Sequence, residues 1–479
     1  MKEEEISNKK DKSISRRQFL GGAAATAAAF TIVPRHVLGG AGYMPPSEKL
    51  NVAGVGVGGM GAANIVNIAG MEMDEENKKL IKRREGENIV ALCDVDEEFA
   101  SDIFNAFPKA KKYKDFRKML EKQKDIDAVV IATPDHTHAV VAMMAMSMGK
   151  HVYVQKPLTR TVYEARMLTE AARKYKVATQ MGNQGNSGEG VRLVCEWIWD
   201  GAIGPVHEVH SWTNRPVWPQ GIPRPKETPP VPSSLDWDLW LGPAPVRPYH
   251  PTYHPFSWRA WWDFGTGALG DMACHILDPV FSALKLKYPI SVEASCSTYV
   301  ALGKMWEKEE NTESFPRASV VHYSFGAREG MPPVKLHWYD GGMLPQRPEE
   351  FESGRKLPES GSIFVGEKGI LLSRTYGNGP RIIPESKMRE YERPPKTLER
   401  VEGGGNGHER NWVRACKGGK PAGSNFDYSG PMTESVVMGN LAIRYPHRKL
   451  EWDGEKMEVT NFPEANQLVN PPYRQGWSL

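Results

Sequence analysis

Asp271 and His275 lie four residues apart in the segment GDMACHILD, residues 270–278, which otherwise has the apolar pattern of a buried helix. Residues at this spacing share one face of a helix. Because imidazole titrates near neutral pH, His275 is suited to take the proton of a substrate hydroxyl, and Asp271 could fix its tautomer or bind a substrate hydroxyl itself. Most isolated pairs of this kind have only a structural role. Whether this pair is structural or catalytic must therefore be judged from the elements around the segment.

A glycine-rich turn follows the first strand-like segment of the chain. The segment NVAGV, residues 51–55, runs into GVGGMGAANIV, in which Gly56, Gly58 and Gly61 fit the pattern G-x-G-x-x-G. Gly56 would permit the tight turn, Gly58 would let the backbone approach a pyrophosphate, and Gly61 would let the helix pack closely on the sheet. The N-terminus of that helix would then face the phosphates of a dinucleotide.

The motif also fits in a second register, through Gly54, Gly56 and Gly59. We prefer the first register because it leaves a full five-residue strand before the turn. Gly59 and Met60 lie within the turn and belong to the predicted cofactor site. Such a motif is weak alone, but here it follows a strand, opens a helix and lies in a βαβ unit.

An acidic residue is expected at the end of the second strand of such a unit, and Asp94 in ALCDVD stands there. The spacing exceeds the usual ~20 residues, and we attribute the excess to a charged surface insertion at 71–87. A carboxylate at this position would accept hydrogen bonds from ribose hydroxyls and repel a 2′-phosphate. We therefore predict NAD rather than NADP, the alternative being an aspartate that merely begins a turn.

The order of elements predicts an α/β protein with two domains. Strand-like and helical segments alternate from residue 49 to about 182, which is typical of a parallel sheet covered by helices. Residues 215–256 are crowded with proline and tryptophan and predict a long ordered loop. The strand-like segments beyond this loop favour a large, mostly antiparallel open sheet. The predicted domains are an NAD-binding Rossmann domain at 45–182 and a C-terminal α+β domain at 183–479 that binds substrate.

The first 44 residues are predicted to be a targeting segment and linker. SRRQFLG is followed by a short apolar stretch, GAAATAAAFTIV, which resembles a twin-arginine export signal. This stretch is shorter than the ~20 residues that a membrane span needs. An Ala-rich amphipathic helix or a poor anchor is the alternative. The signal predicts a periplasmic protein that begins near residues 40–47 and has no stable membrane anchor after processing.

Composition excludes several classes of protein. A net charge of +3 over 479 residues argues against a nucleic-acid partner. The cysteines show no zinc-binding or disulfide spacing, so no metal is predicted and the thiols are expected to be buried and structural. The 14 tryptophans suit apolar cores and also the flat faces of sugar rings.

Three further segments together resemble the Gfo/Idh/MocA oxidoreductases. Thr133, Pro134 and His138 match the T-P-x-x-x-H segment of that family, VYVQKPLT matches its E-K-P segment, and GALGDMACHILD matches its D-x-x-x-H segment. The order and separation agree over nearly all of the chain that follows the signal. Stretches such as LDWDLWLGPAP and WRAWWDFGTGALGDM resemble exported, sugar-related bacterial members.

The resemblance implies hydride transfer between a sugar or polyol carbon and a nicotinamide, and a second domain whose open sheet often mediates oligomerisation. We accordingly expect a homo-oligomer, a dimer or a tetramer. Lys156 matches the family lysine beside the reacting hydroxyl and the nicotinamide. Gln155 stands where the family usually has glutamate, which removes a negative charge beside Lys156 and would lower its pKa.

Four residues are predicted to bind the substrate. Trp258, Arg259 and Trp262 precede the D-x-x-x-H segment and could line a sugar subsite by stacking or by bidentate hydrogen bonds. Asn183 lies at the carboxyl end of a predicted strand, where ligands bind in open α/β sheets. The competing interpretation for each tryptophan is packing within the core or loop.

Two other functions remain open at this stage. One is an NAD-dependent glycosidase that acts by transient oxidation at C3 and elimination. The sequence that such glycosidases usually have in the active-site helix is absent here. The other is a non-catalytic sugar-binding protein that retains NAD as a structural element. Because free NAD is scarce outside the cytoplasm, we expect a tightly bound cofactor that is recycled in place by a second, keto substrate.

Overall fold

The computed structural model describes residues 48–74, 76, 79–298 and 312–479. The predicted export signal at 1–44 lies outside these ranges, as does the end of the predicted strand at 299–302. Within the described residues, we find no helix with the length and apolarity that a membrane crossing requires.

The first sheet is parallel and has six strands in the order β5-β4-β1-β6-β7-β8. Its central strands are almost wholly buried, as continuous apolar runs predict for a sheet covered on both faces. The charged insertion contains a short antiparallel hairpin, β2–β3. The strands of this part are β1 Asn51–Val55, β2 Met71–Met73, β3 Leu80–Lys82, β4 Asn88–Cys93, β5 Lys111–Tyr113, β6 Ala128–Ile131, β7 His151–Val154 and β8 Thr179–Met181.

Five helices connect these strands, and their ends follow ordinary capping chemistry. The longest begins with a capping box, in which Thr161 and Glu164 satisfy each other's backbone N–H groups, and it ends at Lys176 in the left-handed conformation. The helices are α1 Gly59–Ile68, α2 Ser101–Ala106, α3 Phe116–Lys122, α4 Asp135–Ser147 and α5 Val162–Tyr175.

The second sheet has nine strands in the order β15-β14-β13-β9-β12-β11-β10-β16-β17. Adjacent strands of this sheet are antiparallel, except β9 and β12, which are parallel to each other. The predicted fold, a Rossmann domain followed by a domain with a mostly antiparallel sheet, is confirmed. The strands are β9 Val206–Trp212, β10 Ser291–Cys296, β11 Ser319–Phe325, β12 Val334–Tyr339, β13 Gly361–Gly366, β14 Gly369–Arg374, β15 Arg381–Ile383, β16 Leu450–Asp453 and β17 Glu458–Val459.

Helices after β8 contact the second sheet, and two of the helices after β8 contact strands of the first sheet. The helix predicted from ESVVMGNLAIRY is the core of α12, which packs on α5, on the His275 helix α8 and on β10. Trp412 of α11 is fully buried in the apolar core around α1. The helices are α6 Glu189–Trp199, α7 Trp237–Leu241, α8 Gly267–Ile276, α9 Asp278–Leu284, α10 Glu385–Glu390, α11 His408–Cys416, α12 Phe426–Arg444 and α13 Asn466–Val469.

The proline- and tryptophan-rich loop is ordered by an apolar cluster of its own. Residues 213–236 contain no helix or strand, and the short helix α7 follows them. Backbone hydrogen bonds from Glu97 to Ser234 and from Asp236 to Val95 tie the loop to the end of β4. The loop is thereby held over the edge of the first sheet where its parallel strands end. The cluster contains Trp218, Leu235, Trp240, Leu241, Ala244, Tyr253, Trp258, Ala260, Trp261 and Phe264.

The cysteines form no disulfide. Cys93, Cys195 and Cys274 are buried, and Cys296 and Cys416 are half-buried. Burial raises the pKa of the Cys274 thiol to about 12, which keeps it protonated and unreactive. Cys93, Cys195 and Cys274 are therefore suited to the predicted structural role, whereas Cys296 and Cys416 are less buried than predicted.

Candidate active site

The glycine-rich turn has a backbone that only glycine fits at two positions. Gly56 adopts φ +74°, and a Cβ atom there would lie 2.6 Å from the Thr133 nitrogen. A Cβ atom on Gly61 would lie 1.9 Å from the Gly56 carbonyl oxygen. Helix α1 therefore approaches the turn as closely as backbone atoms allow, which is the geometry that a dinucleotide pyrophosphate requires. Both glycines belong to the preferred register.

Two alanine substitutions in this turn should have opposite outcomes. Gly61→Ala places a methyl group against backbone, so it should destabilise the fold by about 3 kcal/mol or more and abolish NAD binding. Gly59→Ala should be tolerated, because its Cβ atom would meet only the Phe99 ring at 3.7 Å, an ordinary contact. Thermal unfolding and calorimetric NAD titration of both variants test this. Equal losses in the two variants would contradict the assigned register.

Asp94 lies at the end of β4 and supports the turn directly. Its Oδ2 accepts hydrogen bonds from the Val57 and Gly58 backbone nitrogens at 2.8 and 3.2 Å, and its Oδ1 accepts one from Asp96. Burial raises its pKa, although these three donors act in the opposite direction. The carboxylate borders a cavity beside the turn, and its oxygens retain lone pairs that can accept hydrogen bonds from ribose hydroxyls. The turn and this carboxylate together fit an NAD cofactor.

A cavity of about 490 Å³ extends from this turn to helix α8 and the proline-rich loop. Its wall comes from the ends of β1, β4, β6 and β7 on one side, and from the proline-rich loop and His275, near the end of α8, on the other. The predicted residues on its wall are Gly56, Gly58, Gly59, Met60, Asp94, Thr133, Pro134, Gln155, Lys156, Trp258, Arg259 and His275. Gly61, His138, Asn183, Trp262 and Asp271 are not on its wall.

Lys156, on the cavity wall, forms an ion pair with Asp271 behind it. Lys156 Nζ donates to Asp271 Oδ1 at 2.8 Å and to the Asp271 backbone carbonyl at 2.7 Å. Arg259 Nε lies 3.3 Å from the same carboxylate oxygen. Burial alone would raise the pKa of Asp271, but Lys156 and Arg259 outweigh burial and lower it to about 2. The negative charge beside Lys156 therefore comes from Asp271, 115 residues away in sequence, rather than from position 155.

His275 is on the cavity wall but is not oriented by Asp271. Its Nδ1 is buried without a hydrogen-bond partner among the described residues, and its ring meets Tyr376 edge-on at 5.0 Å. Burial lowers its pKa to about 3, and the charge of Lys156 acts in the same direction. The structure therefore lacks the Asp271–His275 hydrogen bond that was one of the two roles predicted for Asp271, and burial moves the imidazole pKa below the near-neutral value expected from sequence. The imidazole is a neutral group with a free lone pair or N–H.

Asp135 is a site residue that the sequence analysis missed. It opens helix α4 directly after Thr133 and Pro134, borders the cavity and accepts a hydrogen bond from Thr266 Oγ1 at 2.6 Å. Burial raises its pKa to about 7, against the effects of Thr266, Arg259 and Lys156. Its position at the carboxyl end of β6, where ligands gather in parallel sheets, was the available signal.

The raised pKa of Asp135 predicts a pH-dependent gain in stability for Asp135→Asn. An unfolded aspartate titrates near 3.8 and Asp135 near 7 in the folded protein, so the folded state binds more protons between these values. Stability is therefore lost as the pH rises through this window. An asparagine side chain removes this loss and still accepts a hydrogen bond from Thr266, so the variant should be more stable than wild type by about 4 kcal/mol at pH 8 and by less than half of that at pH 5.

Thermal unfolding at pH 5 and pH 8 tests this expectation, with the exposed Asp125→Asn as the control. The control should give the same difference from wild type at both pH values. An Asp135→Asn effect that is equally large at both would show that Asp135 is already ionised at pH 5.

His138 lies behind the cavity wall, and Gln155 forms part of the wall. Both nitrogens of His138 face backbone carbonyls, Nδ1 at 2.9 Å from Pro157 and Nε2 at 2.8 Å from Thr133. Gln155 lines the cavity, and its amide donates to Asn64, which in turn donates to Glu409. His138 thereby joins the Thr133 segment to the Pro157 segment.

Two predicted substrate residues do not lie on the cavity wall. Asn183 is fully buried, and the half-buried Trp262 contacts Phe315 in a tilted arrangement with ring centroids 3.6 Å apart and donates to the Ser314 carbonyl. Trp258 and Arg259, by contrast, lie on the cavity wall, with the guanidinium 4.2 Å from the Trp258 ring. The position of a residue at a strand end or beside a motif does not determine whether its side chain reaches the cavity.

Comparisons with known proteins agree with this geometry. Residues 50–183 match the Gfo/Idh/MocA oxidoreductase family, NAD-binding Rossmann fold, and residues 210–308 match the C-terminal alpha/beta domain of the same family. The chain is 27% identical to levoglucosan dehydrogenase of Pseudarthrobacter phenanthrenivorans over 48% of its length. It is 26% identical to a glycosyl hydrolase family 109 protein of Shewanella pealeana over 40% of its length.

These two alignments cover 50% and 44% of the curated relatives, so the chain spans half of their length or less. The crystal structure of the WlbA dehydrogenase from Bordetella pertussis, in complex with NADH and UDP-GlcNAcA, shares the fold. Its TM-score is 0.56 at 17% identity, over 85% of this chain and 99% of that one. The two domains that these models match, at 50–183 and 210–308, are therefore those of a Gfo/Idh/MocA oxidoreductase.

Proposed function

We propose that this protein oxidises a hydroxyl-bearing carbon of a sugar or glycoside, or reduces the corresponding keto carbon, with NAD. The observation that carries the proposal is that Lys156, held by its ion pair with Asp271, lines the same cavity as His275 and the glycine-rich turn. NAD, when bound, supplies the hydride acceptor or donor. The residues of this chain must therefore bind the sugar and handle its hydroxyl proton.

Lys156 is suited to hold the reacting oxygen. An ammonium group has three N–H donors, and Asp271 accepts from Lys156 Nζ through its carboxylate and its backbone carbonyl. The third N–H can bind a substrate oxygen in the cavity. A fixed positive charge there stabilises the negative charge that develops as the hydroxyl loses its proton.

His275 is suited to take that proton. Its ring borders the same cavity as Lys156, and its low pKa keeps it unprotonated at neutral pH. A weak base suffices, because a hydroxyl oxygen becomes strongly acidic as its carbon loses a hydride. Oxidation thus pairs proton removal by His275 with charge stabilisation by Lys156.

A carbohydrate substrate is supported by the cavity wall and by the relatives. Trp258, Trp240 and Phe256 present aromatic surface beside Arg259, a combination that suits the apolar faces and hydroxyls of a sugar ring. Levoglucosan dehydrogenase is named for a sugar substrate. We extend the carbohydrate class, and no particular sugar, to this chain.

We also propose that the protein is exported, works as a homo-oligomer and keeps its NAD bound through the catalytic cycle. The twin-arginine sequence at residues 15–21 supports export. Since free NAD is scarce outside the cytoplasm, one sugar would be oxidised and a second, keto compound reduced on the same cofactor.

The deciding experiment is mass spectrometry of nucleotide released from the denatured protein, paired with a panel of sugars and glycosides. The expected nucleotide is NAD without the 2′-phosphate that Asp94 would repel. Bound NADH, followed by its absorbance, should appear with one class of sugar and disappear on addition of a keto sugar. A protein that carries no nucleotide and binds NAD only weakly would contradict the recycled cofactor.

An NAD-dependent glycosidase is the second candidate, favoured by the similarity to the glycosyl hydrolase family 109 protein. Release of nitrophenol from aryl glycosides without added NAD separates the two functions. Multiple turnovers would support the glycosidase. Formation of bound NADH without nitrophenol release would support the dehydrogenase, and neither signal with any sugar would favour a non-catalytic sugar-binding protein.

A further inference from the structure

A cluster of histidines and one glutamate lies on the second sheet, away from the candidate active site. Glu208 and His210 lie two residues apart on β9 and therefore on the same face of the sheet. His337 lies on the adjacent strand β12, directly opposite His210 in the register. One ligand atom from each of the three side chains lies within 4.8 Å of the others. His322 of β11 faces His337 in the next pair.

The three side chains converge on one point. Glu208 Oε1 lies 2.9 Å from His337 Nε2 and 3.3 Å from His210 Nε2. Two ligands bound tetrahedrally to zinc at about 2.1 Å would be about 3.4 Å apart. The cluster therefore has the dimensions of a coordination sphere before any ion is bound.

The outer nitrogens of both histidines are held in place. His210 Nδ1 is 3.1 Å from the Tyr339 hydroxyl, and His337 Nδ1 is 2.6 Å from His322 Nδ1. Such partners orient a ligand ring and fix the nitrogen that carries its hydrogen. If His337 donates to His322, its Nε2 lone pair points at the Glu208 carboxylate, an arrangement that a cation would stabilise.

The donor atoms of the cluster are of the kinds that bind divalent cations. The two imidazoles supply nitrogen donors, and the Glu208 carboxylate supplies an oxygen donor and a negative charge.

This cluster is separate from the active site. The alternate residues of β9 face the other side of the sheet, where Ser211 bonds to Ser362 and Ser362 donates to the Ile276 carbonyl at the end of α8. Helix α8, with its His275, thus packs on the face opposite Glu208 and His210. A metal bound to the cluster would be remote from the substrate.

We propose that Glu208, His210 and His337 form a binding site for a divalent transition-metal ion of the zinc class. Two imidazole nitrogens and one carboxylate oxygen are a donor set that zinc accepts, with a fourth position left for water or another ligand. The ion would join the parallel strands β9 and β12. Lys335, which is paired with Glu208 across these strands, is the cation that opposes binding.

Titration of the full chain, stripped with a chelator, with zinc chloride in a calorimeter tests the site. Wild type should bind one zinc ion per chain, and zinc should raise its melting temperature. Glu208→Gln and His337→Gln should each weaken binding by about 100-fold or more, and His322→Ala by about 10- to 100-fold. Lys335→Gln should tighten it.

The matched control is His207→Gln, which changes an exposed histidine on the same strand. It should bind zinc as wild type does. Circular dichroism must show that all variants are folded. The proposal is overturned if wild type binds no zinc at about 100 μM, since the side chains would then only hydrogen-bond, or if Glu208→Gln and His337→Gln bind it as tightly as wild type.

Discussion

Replacing Lys156 by methionine should lower kcat for sugar oxidation by about 10²- to 10³-fold, the usual cost of losing one donor to a developing oxyanion. Methionine has a similar length and no charge, so the change removes the ammonium group and little else. Binding of NAD should persist, because the glycine-rich turn and Asp94 are untouched. Lys156→Arg should also fail, because a planar guanidinium presents its donors in a different geometry.

The loss of Lys156 has a structural cost that must be separated from its chemical cost. Asp271 would keep only Arg259 as a nearby cation, at 3.3 Å, and a buried carboxylate with a weakened partner destabilises the fold. Asp271→Asn in the same chain removes that charge. The double variant Lys156→Met/Asp271→Asn should therefore recover melting temperature without recovering kcat.

Single-turnover formation of bound NADH is the measurement, and Lys109→Met, on an exposed loop, is the control. The control should match wild type in kcat and in stability. A Lys156→Met enzyme with the wild-type rate would remove Lys156 from the reaction.

Local features of the site could be predicted from sequence, and long-range ones could not. The turn at Gly56 and Gly61 follows from backbone sterics within ten residues of chain, so its register was readable. The partner of Asp271 was not, since spacing shows only that Asp271 and His275 share a helix face. Lys156 arrives from 115 residues away, and a full positive charge is a stronger partner for a buried carboxylate than a neutral imidazole.

Which side chains line the cavity was the second property beyond the reach of sequence. Asn183 and Trp262 carry the right chemistry in the right segments but do not lie on the cavity wall, whereas Asp135 lies on the wall beside two residues that were predicted. The histidine cluster shows the same limit. The alternation of polar and apolar residues in HEVHSW and VKLHWY is visible in the sequence. The parallel pairing of β9 with β12, which brings their histidines together, is known only from the tertiary structure.

His275→Gln should lower kcat by about 10²- to 10⁴-fold, the range for loss of a general base. Glutamine retains polarity and most of the volume, so melting temperature and NAD binding should change little. His207→Gln, remote from the cavity, should leave kcat unchanged. A His275→Gln enzyme that oxidises sugar at the wild-type rate would refute the role of His275 as the base.

The pH dependence identifies the ionising group more sharply than the rate. A base with an ordinary pKa near 6.5 would lower kcat/KM about tenfold per pH unit below that value. Since the pKa of His275 is about 3, its imidazole stays neutral down to pH 5, and it should impose no such fall. Any decline near pH 7 should instead persist in His275→Gln and vanish in Asp135→Asn, because Asp135 is the cavity group with a pKa of about 7. A decline near pH 6.5 that disappears with His275 would show that the imidazole is more accessible to protons than its burial implies.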